Sequence, residues 1–334
     1  MDIVNRFREM GEFALAGLNE EPERSAFYRK ALGLRRHYEN CKLAEYNGEL
    51  LYPSGVLPGE KFALPNYLFG IAINVPGLSE KDAELGKIAE KDWDPSWLEY
   101  VPEEHGVAGR AYTHSMPNYE RILKEGLISY IPRIEKIADA DMREGLLHLV
   151  EGIKAYTQRC ADYLKSVGAP EKLISAVKKV PVYPAEDIYE AIVGWNFIFY
   201  LDSCDNLGCV ASGLYPYYKG EDITDELKNL YDNVDKYGAW SMSLGTDYNP
   251  LTIQCLEASK GKRRPMIELF VDETTPDEVW KKAFEVIKTS NGQPAFYNPH
   301  VLLSGLQKKF NIPDEDLKRF CGGGCTESMI AGMS

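Results

Sequence analysis

The sequence has 334 residues, 44% of them hydrophobic, with 12 Phe, 21 Tyr and 5 Trp. That composition supports one large domain or two ordinary ones with a sizeable core, and it excludes a disordered chain. Acidic residues outnumber basic ones by 51 to 38, a net charge of −13. Such a surface repels phosphate backbones and anionic lipid, so neither nucleic acid nor a membrane is expected as a partner.

No run approaches the ~20 apolar residues of a membrane span. Met1-Asp2-Ile3-Val4-Asn5-Arg6 is not followed by the apolar stretch of a secretory signal. The seven cysteines, at 41, 160, 204, 209, 255, 321 and 325, suggest no disulfide framework and fit free thiols in a reducing cytoplasm.

The first predicted element runs to about Asn40. It reads as helix, broken at Pro22 and Gly33, with Ala26, Phe27, Lys30, Ala31 and Leu34 on one stripe. Residues 46–102, punctuated by Pro58-Gly59 and Pro76-Gly77, read as an irregular wrap. From Pro117 to about Val167 the apolar spacing is helical. A further helix from Pro184 to Phe199, through Ile188, Ala191, Ile192 and Trp195, is apolar nearly all round and should lie deeply buried.

The last third changes character. Pro265–Val271 predicts a strand. Thr275-Pro276-Asp277-Glu278 then predicts a helix start, with Thr275 as cap and Glu278 completing a capping box. Gly292–Asn298 predicts a turn into a short extended piece, followed by a helix over 299–310 and another opening at Pro313. This alternation of strand and helix indicates an α/β unit with helices packed on a sheet or half-barrel.

The chain closes on Gly322-Gly323-Gly324-Cys325-Thr326-Glu327-Ser328. Glycines free the backbone for a tight loop. In an extended loop, residues two apart face one side, so Cys325 and Glu327 can address one small substrate together. Sulfur can hold an unpaired electron and abstract hydrogen from carbon, and a carboxyl group can move the proton that an elimination requires. Two other readings of the cysteine stay open: a buried core thiol, and a zinc site made by Cys321 and Cys325 with Cys204 and Cys209, at spacings wider than the usual knuckle.

Four separated segments carry a resemblance. They are His114-Ser115-Met116-Pro117-Asn118-Tyr119-Glu120; Leu214-Tyr215-Pro216-Tyr217-Tyr218; Thr275-Pro276-Asp277-Glu278-Val279-Trp280 with Gly292-Gln293-Pro294-Ala295-Phe296-Tyr297-Asn298; and Gly324-Cys325-Thr326-Glu327. In this order and spacing they resemble the glycyl radical enzymes, the pyruvate formate-lyase-like family, from about residue 110 onward. The lone cysteine followed two places later by Glu is similar to the dehydratase and lyase branch. Gly324 stands where pyruvate formate-lyase itself has a second cysteine, which argues against acyl transfer.

The resemblance implies a ten-stranded α/β barrel made of two five-stranded halves. This chain would supply a largely helical N-terminal part, with the irregular wrap over 1–110, and the first half-barrel with its Cys loop over 111–334. The second half and the glycine radical domain would be absent. Cys325 would be the thiyl residue and Glu327 the acid/base, with no cofactor or metal bound. The radical would reside on a glycine outside this sequence, installed by an activating enzyme that uses S-adenosylmethionine and an iron–sulfur cluster. A small organic substrate, a homo-oligomer when complete, and a separate chain carrying the other half are the implied partners. The alternatives are a non-catalytic fragment, half of a split enzyme, and a formate C-acetyltransferase-like activity.

Two departures stand out. The family's G-R-x-D is Gly208-Cys209-Val210-Ala211 here, and its G-H step is Thr113-His114. His114, Asp247 and Asn249 are candidate substrate-binding residues, although turn chemistry explains Asp247 and Asn249 equally well. Tyr215, Tyr217 and Tyr218 read as core aromatics, and Lys260–Arg264 as a solvated basic loop.

Overall fold

The computed structural model describes residues 13–14, 16–55, 116–202, 206–237, 240–245, 247–289, 292–317, 319–323 and 327–331. The irregular wrap expected over 46–102 and the candidate His114 lie almost wholly outside them.

Helix α1 (Ala26–Asn40) opens on Ser25, whose side chain accepts the Tyr28 amide. It buries Tyr28, Ala31, Leu32, Leu34 and Tyr38. The expected break at Gly33 is absent, and the helix runs straight through it. The glycine is there for contact. A Cβ on Gly33 would stand 2.8 Å from the Ala14 carbonyl oxygen, and one on Gly17 would stand 2.7 Å from that of Leu32. Two helical segments therefore cross at backbone distance.

Helix α2 (Tyr119–Glu125) is capped by Asn118, and the long α3 (Ala140–Ser166), capped by Asp139, packs along α1. Helix α4 (Ile188–Asp202) is buried on every side from Ala191 to Leu201, as its sequence predicts. Each large side chain so buried contributes about 1.5–3 kcal/mol. Trp195 stacks on Tyr119 with ring centroids 4.5 Å apart and donates its indole N–H to the Leu207 carbonyl. Asn196, a buried polar residue in α4, donates to the Pro53 carbonyl and accepts from Asn233, which anchors residues 51–55.

The three tyrosines after Leu214 correct an expectation. They occupy a single 3₁₀ turn and the residue after it, too short to be enclosed. Tyr215 is 44% exposed, and Tyr217 and Tyr218 only flank the core.

The α/β part begins at β1 (Ser241–Gly245), a strand not foreseen from sequence. Helix α5 (Pro250–Ala258) follows, then β2 (Met266–Phe270), α6 (Asp277–Ile287), β3 (Ala295–Tyr297) and α7 (Pro299–Phe310). The strands are parallel in the order β1-β2-β3. A helix carries the chain across each time, as parallel pairing requires. Residue 206 adds a parallel bridge on the far side of β1. The sheet among the described residues is therefore three strands and one bridge wide, against the five expected of a half-barrel. The predicted strand, the extended piece and the helix over 299–310 are all found. The Thr275 cap is not: α6 makes no side-chain cap bond. Thr275 Oγ1 instead accepts the Asp272 amide and meets the Tyr248 hydroxyl, because the preceding turn claims it first.

Among the described residues no helix is long and apolar enough to cross a membrane.

Candidate active site

Strand alternation divides the sheet into two unlike faces. Met242, Leu244, Ile267 and Leu269 are buried on one face, in the same core cluster as Val279, Ala283 and Val286 of α6. Ser241, Ser243, Glu268 and Phe270 point the other way, with Ser243 and Glu268 in register on neighbouring strands. All four are buried too.

A hairpin lies over this second face. Strand β4 (Phe320–Gly323) pairs antiparallel with β5 (Glu327–Ile330), with Gly323 opposite Glu327. The glycine run that reads as a loop is therefore partly strand. Phe320 packs edge-on against Phe270, with centroids 5.2 Å apart. Two residues on, the Gly322 amide donates to Ser243 Oγ at 2.9 Å, and Ser243 Oγ donates to Glu268 Oε2 at 2.8 Å. Asn206 Nδ2 donates to the Gly322 carbonyl at 2.5 Å and to Ser241 Oγ at 2.9 Å. Both peptide groups of Gly322 are thus held by buried side chains. A Cβ at 322 would stand 1.9 Å from Glu268 Oε2, so a side chain there would displace the carboxyl.

Cys325 belongs to the three-residue connection 324–326, outside the described residues, as does the Glu327 side chain. The backbone places Glu327 at the first position of β5, directly across from Gly323. The pair Gly323 and Glu327 closes one end of the ladder, and Phe320 and Ile330 pair at the other.

Asp247 is exposed, and its carbonyl accepts from Asn249. Asn249 caps α5: its side chain accepts the Leu251 amide, and Thr252 accepts the Asn249 amide in return. Of the two, the cap explains Asn249 fully. Between them, Tyr248 donates its hydroxyl to the Phe270 carbonyl at the end of β2.

Of the four cysteines weighed as a zinc cage, Cys204 and Cys325 lie outside the described residues. Cys209 and Cys321 do meet beneath the hairpin, beside Met116 and Met329. Their thiols donate to the carbonyls of Phe320 and Met329 respectively. The adjoining Cys209 thiol, then burial, push the Cys321 thiol well above its ordinary range, so it stays protonated. Among the described residues, the cluster with three potential metal ligands is Asp272, Glu273 and His300, at the surface where α7 begins. Hydrogen bonds from Thr274 hold the Asp272 carboxyl below the usual carboxylate range.

Sequence reasoning missed Ser243, Glu268 and Asn206. The one visible signal is an acidic residue inside the apolar strand Met266-Ile267-Glu268-Leu269-Phe270. A buried carboxyl needs a hydrogen-bonding partner, so its neighbours had to be polar.

Residues 241–334, from β1 through the hairpin, match the family model described as pyruvate formate lyase-like. The fold agrees over nearly the whole chain. A structure from Roseburia inulinivorans concerned with 1,2-propanediol dehydration superposes with a TM-score of 0.72 at 16% identity, covering 98% of this chain and 52% of that one. The glycerol-bound B12-independent glycerol dehydratase of Clostridium butyricum gives 0.73 at 17% identity, covering 99% and 54%. A glycyl radical enzyme of Archaeoglobus fulgidus gives 0.74 at 15% identity, covering 98% and 55%. No curated protein matches the sequence. The chain thus spans about half the length of these solved structures, and its fold is the front half of the glycyl radical enzyme architecture expected from the sequence.

Proposed function

We propose that this chain supplies the thiol-bearing half of a radical lyase of the dehydratase type. The observation that carries the proposal is the hairpin β4–β5, laid across a buried polar sheet face, with Cys325 in its connection and Glu327 opening its second strand. Of the structures that share the fold, one concerns 1,2-propanediol dehydration and one is a glycerol-bound glycerol dehydratase. A vicinal diol is therefore the first substrate class to test.

In this reading the Cys325 sulfur, as thiyl radical, takes a hydrogen atom from a carbon bearing a hydroxyl and becomes a thiol. Glu327 takes the proton of that hydroxyl and delivers a proton to the neighbouring hydroxyl, which leaves as water. The product radical then takes the hydrogen atom back from the Cys325 thiol, leaving an aldehyde or ketone and restoring the thiyl radical. The radical is supplied by a glycyl radical loop that a separate S-adenosylmethionine- and iron–sulfur-dependent enzyme activates.

The test uses the assembly that contains this chain, the radical loop and the activating enzyme, kept anaerobic. Electron paramagnetic resonance should show a glycyl radical in both the native assembly and Cys325→Ala, with diol turnover in the native form alone. Undiminished turnover in Cys325→Ala removes the proposal.

A further inference from the structure

Asn206, Ser243 and Glu268 lie in three different segments and converge on one residue, Gly322, three positions before Cys325. Each is buried, at 0%, 1% and 1% exposure. A buried polar side chain is retained only where it satisfies another group, and here that group is the backbone of the hairpin. The bonding has a direction. Ser243 has one hydroxyl hydrogen. With the Gly322 amide aimed at its oxygen, that hydrogen goes to Glu268 Oε2. The carboxyl in turn occupies the space where any side chain at 322 would stand. Asn206 is itself fixed, since its Oδ1 accepts the Gly208 amide at 2.6 Å.

We propose that Glu268, acting through Ser243, and Asn206 are positioning residues that clamp the Gly322 peptide and so fix β4, the strand from which the chain runs on to Cys325. This inference rests on the reading of Cys325 as the reacting thiol, yet it can be tested without radical chemistry. The clamp fixes the strand that leads to the reactive sulfur, and small misplacements of a reacting group lower rate steeply.

The experiment measures alkylation of each cysteine in the full chain by iodoacetamide, resolved by peptide mass spectrometry. Cys160 and Cys255, buried in the core, report global opening. In Ser243→Ala the Cys325 rate should change about tenfold relative to theirs, the scale set by losing a hydrogen bond to a buried backbone group. Ser243→Thr, which keeps a hydroxyl, should return it. Glu268→Leu should shift the Cys325 rate likewise, and Glu268→Gln, which keeps an acceptor, should bring it back. A Cys325 rate that stays unchanged, or that moves only in step with Cys160 and Cys255, overturns the clamp. Where the variants do not fold, amide exchange in the native chain decides: protection at Gly322 equal to that of Ile267 and Leu269 supports the clamp, and rapid exchange refutes it. Turnover surviving Cys325→Ala would defeat the radical reading and leave the alkylation result standing. An unresponsive Cys325 rate would defeat the clamp and leave the radical reading untouched.

Discussion

The helical layer and the sheet-and-hairpin region hold their polar groups in different places. Around α1 and α3 most charges stay at the rim, the exception being Arg29, which is buried and donates to the Leu18 carbonyl. Arg24 pairs with Asp141 and Glu144, and Arg36 with Glu20 and Glu39, while the buried side of the layer is filled by Tyr28, Leu32, Tyr38, Tyr156 and Phe197. Under the hairpin the arrangement reverses: Asn206, Ser241, Ser243 and Glu268 are inside, bonded to one another and to glycine backbone. Non-directional apolar packing tolerates repacking at similar volume. A buried polar network holds one arrangement and is costly to interrupt. The helical layer has one such network, at Asn196 and Asn233, whereas the one under the hairpin converges on the backbone of Gly322.

The largest expected effect lies in the helical layer. Phe197→Ala, in a fully buried part of α4, should lower unfolding stability by about 3–5 kcal/mol, as deletion of a core aromatic does. Denaturant melts followed by far-ultraviolet circular dichroism check this. Gly322→Ala should cost about 1–3 kcal/mol, the range for forcing a methyl into filled space. Its mark is local, with faster amide exchange confined to β4 and β5. If exchange rises across α1 and α3 as well, the two regions are not distinct in the way described. Gly305→Ala is the control. Glycine 305 lies inside α7 with open space around its Cα, and alanine there should stabilise by about 0.5–1 kcal/mol.

The smallest effect is a pH dependence in the helical layer. Arg35 donates to His148 Nδ1, so His148 Nε2 donates to the Tyr28 hydroxyl. Burial, then the charges of Arg35 and Arg36, hold His148 below its ordinary value. The unfolded chain protonates first as pH falls below about 6.5. The stability due to this residue is thus complete above that pH and lost progressively below it. Melts at pH 7.5 and 5.5 should show a drop that His148→Gln reduces.

Much of the helical layer was legible because its residues carry period and composition together. The run Ala191–Leu201 is apolar nearly all round, and burial on every side follows. Gly33 was misread because sequence does not distinguish a glycine that breaks a helix from one that lets another helix approach. In the α/β part, β2 and α7 were legible. Strand β1, Ser-Met-Ser-Leu-Gly, was not, since Ser241 meets Asn206, and Ser243 meets Glu268 and Gly322, all distant in sequence. Thr275 looked like a cap, but Tyr248 and Asp272 take its hydroxyl. At the candidate site, the Cys-x-Glu signal is local and could be read directly. The clamp beneath it joins residues 206, 243, 268 and 322, and only the folded chain brings them together.

The most direct test of the account follows one hydrogen atom. In the active assembly, a vicinal diol is supplied with deuterium on the carbon from which Cys325 takes hydrogen, and the product is analysed by mass spectrometry and nuclear magnetic resonance. The account predicts that the label reappears on the neighbouring carbon of the product, carried there by the Cys325 sulfur, and that Cys325→Ser forms no labelled product. Label lost wholly to water, or migrating equally well in Cys325→Ser, would contradict it.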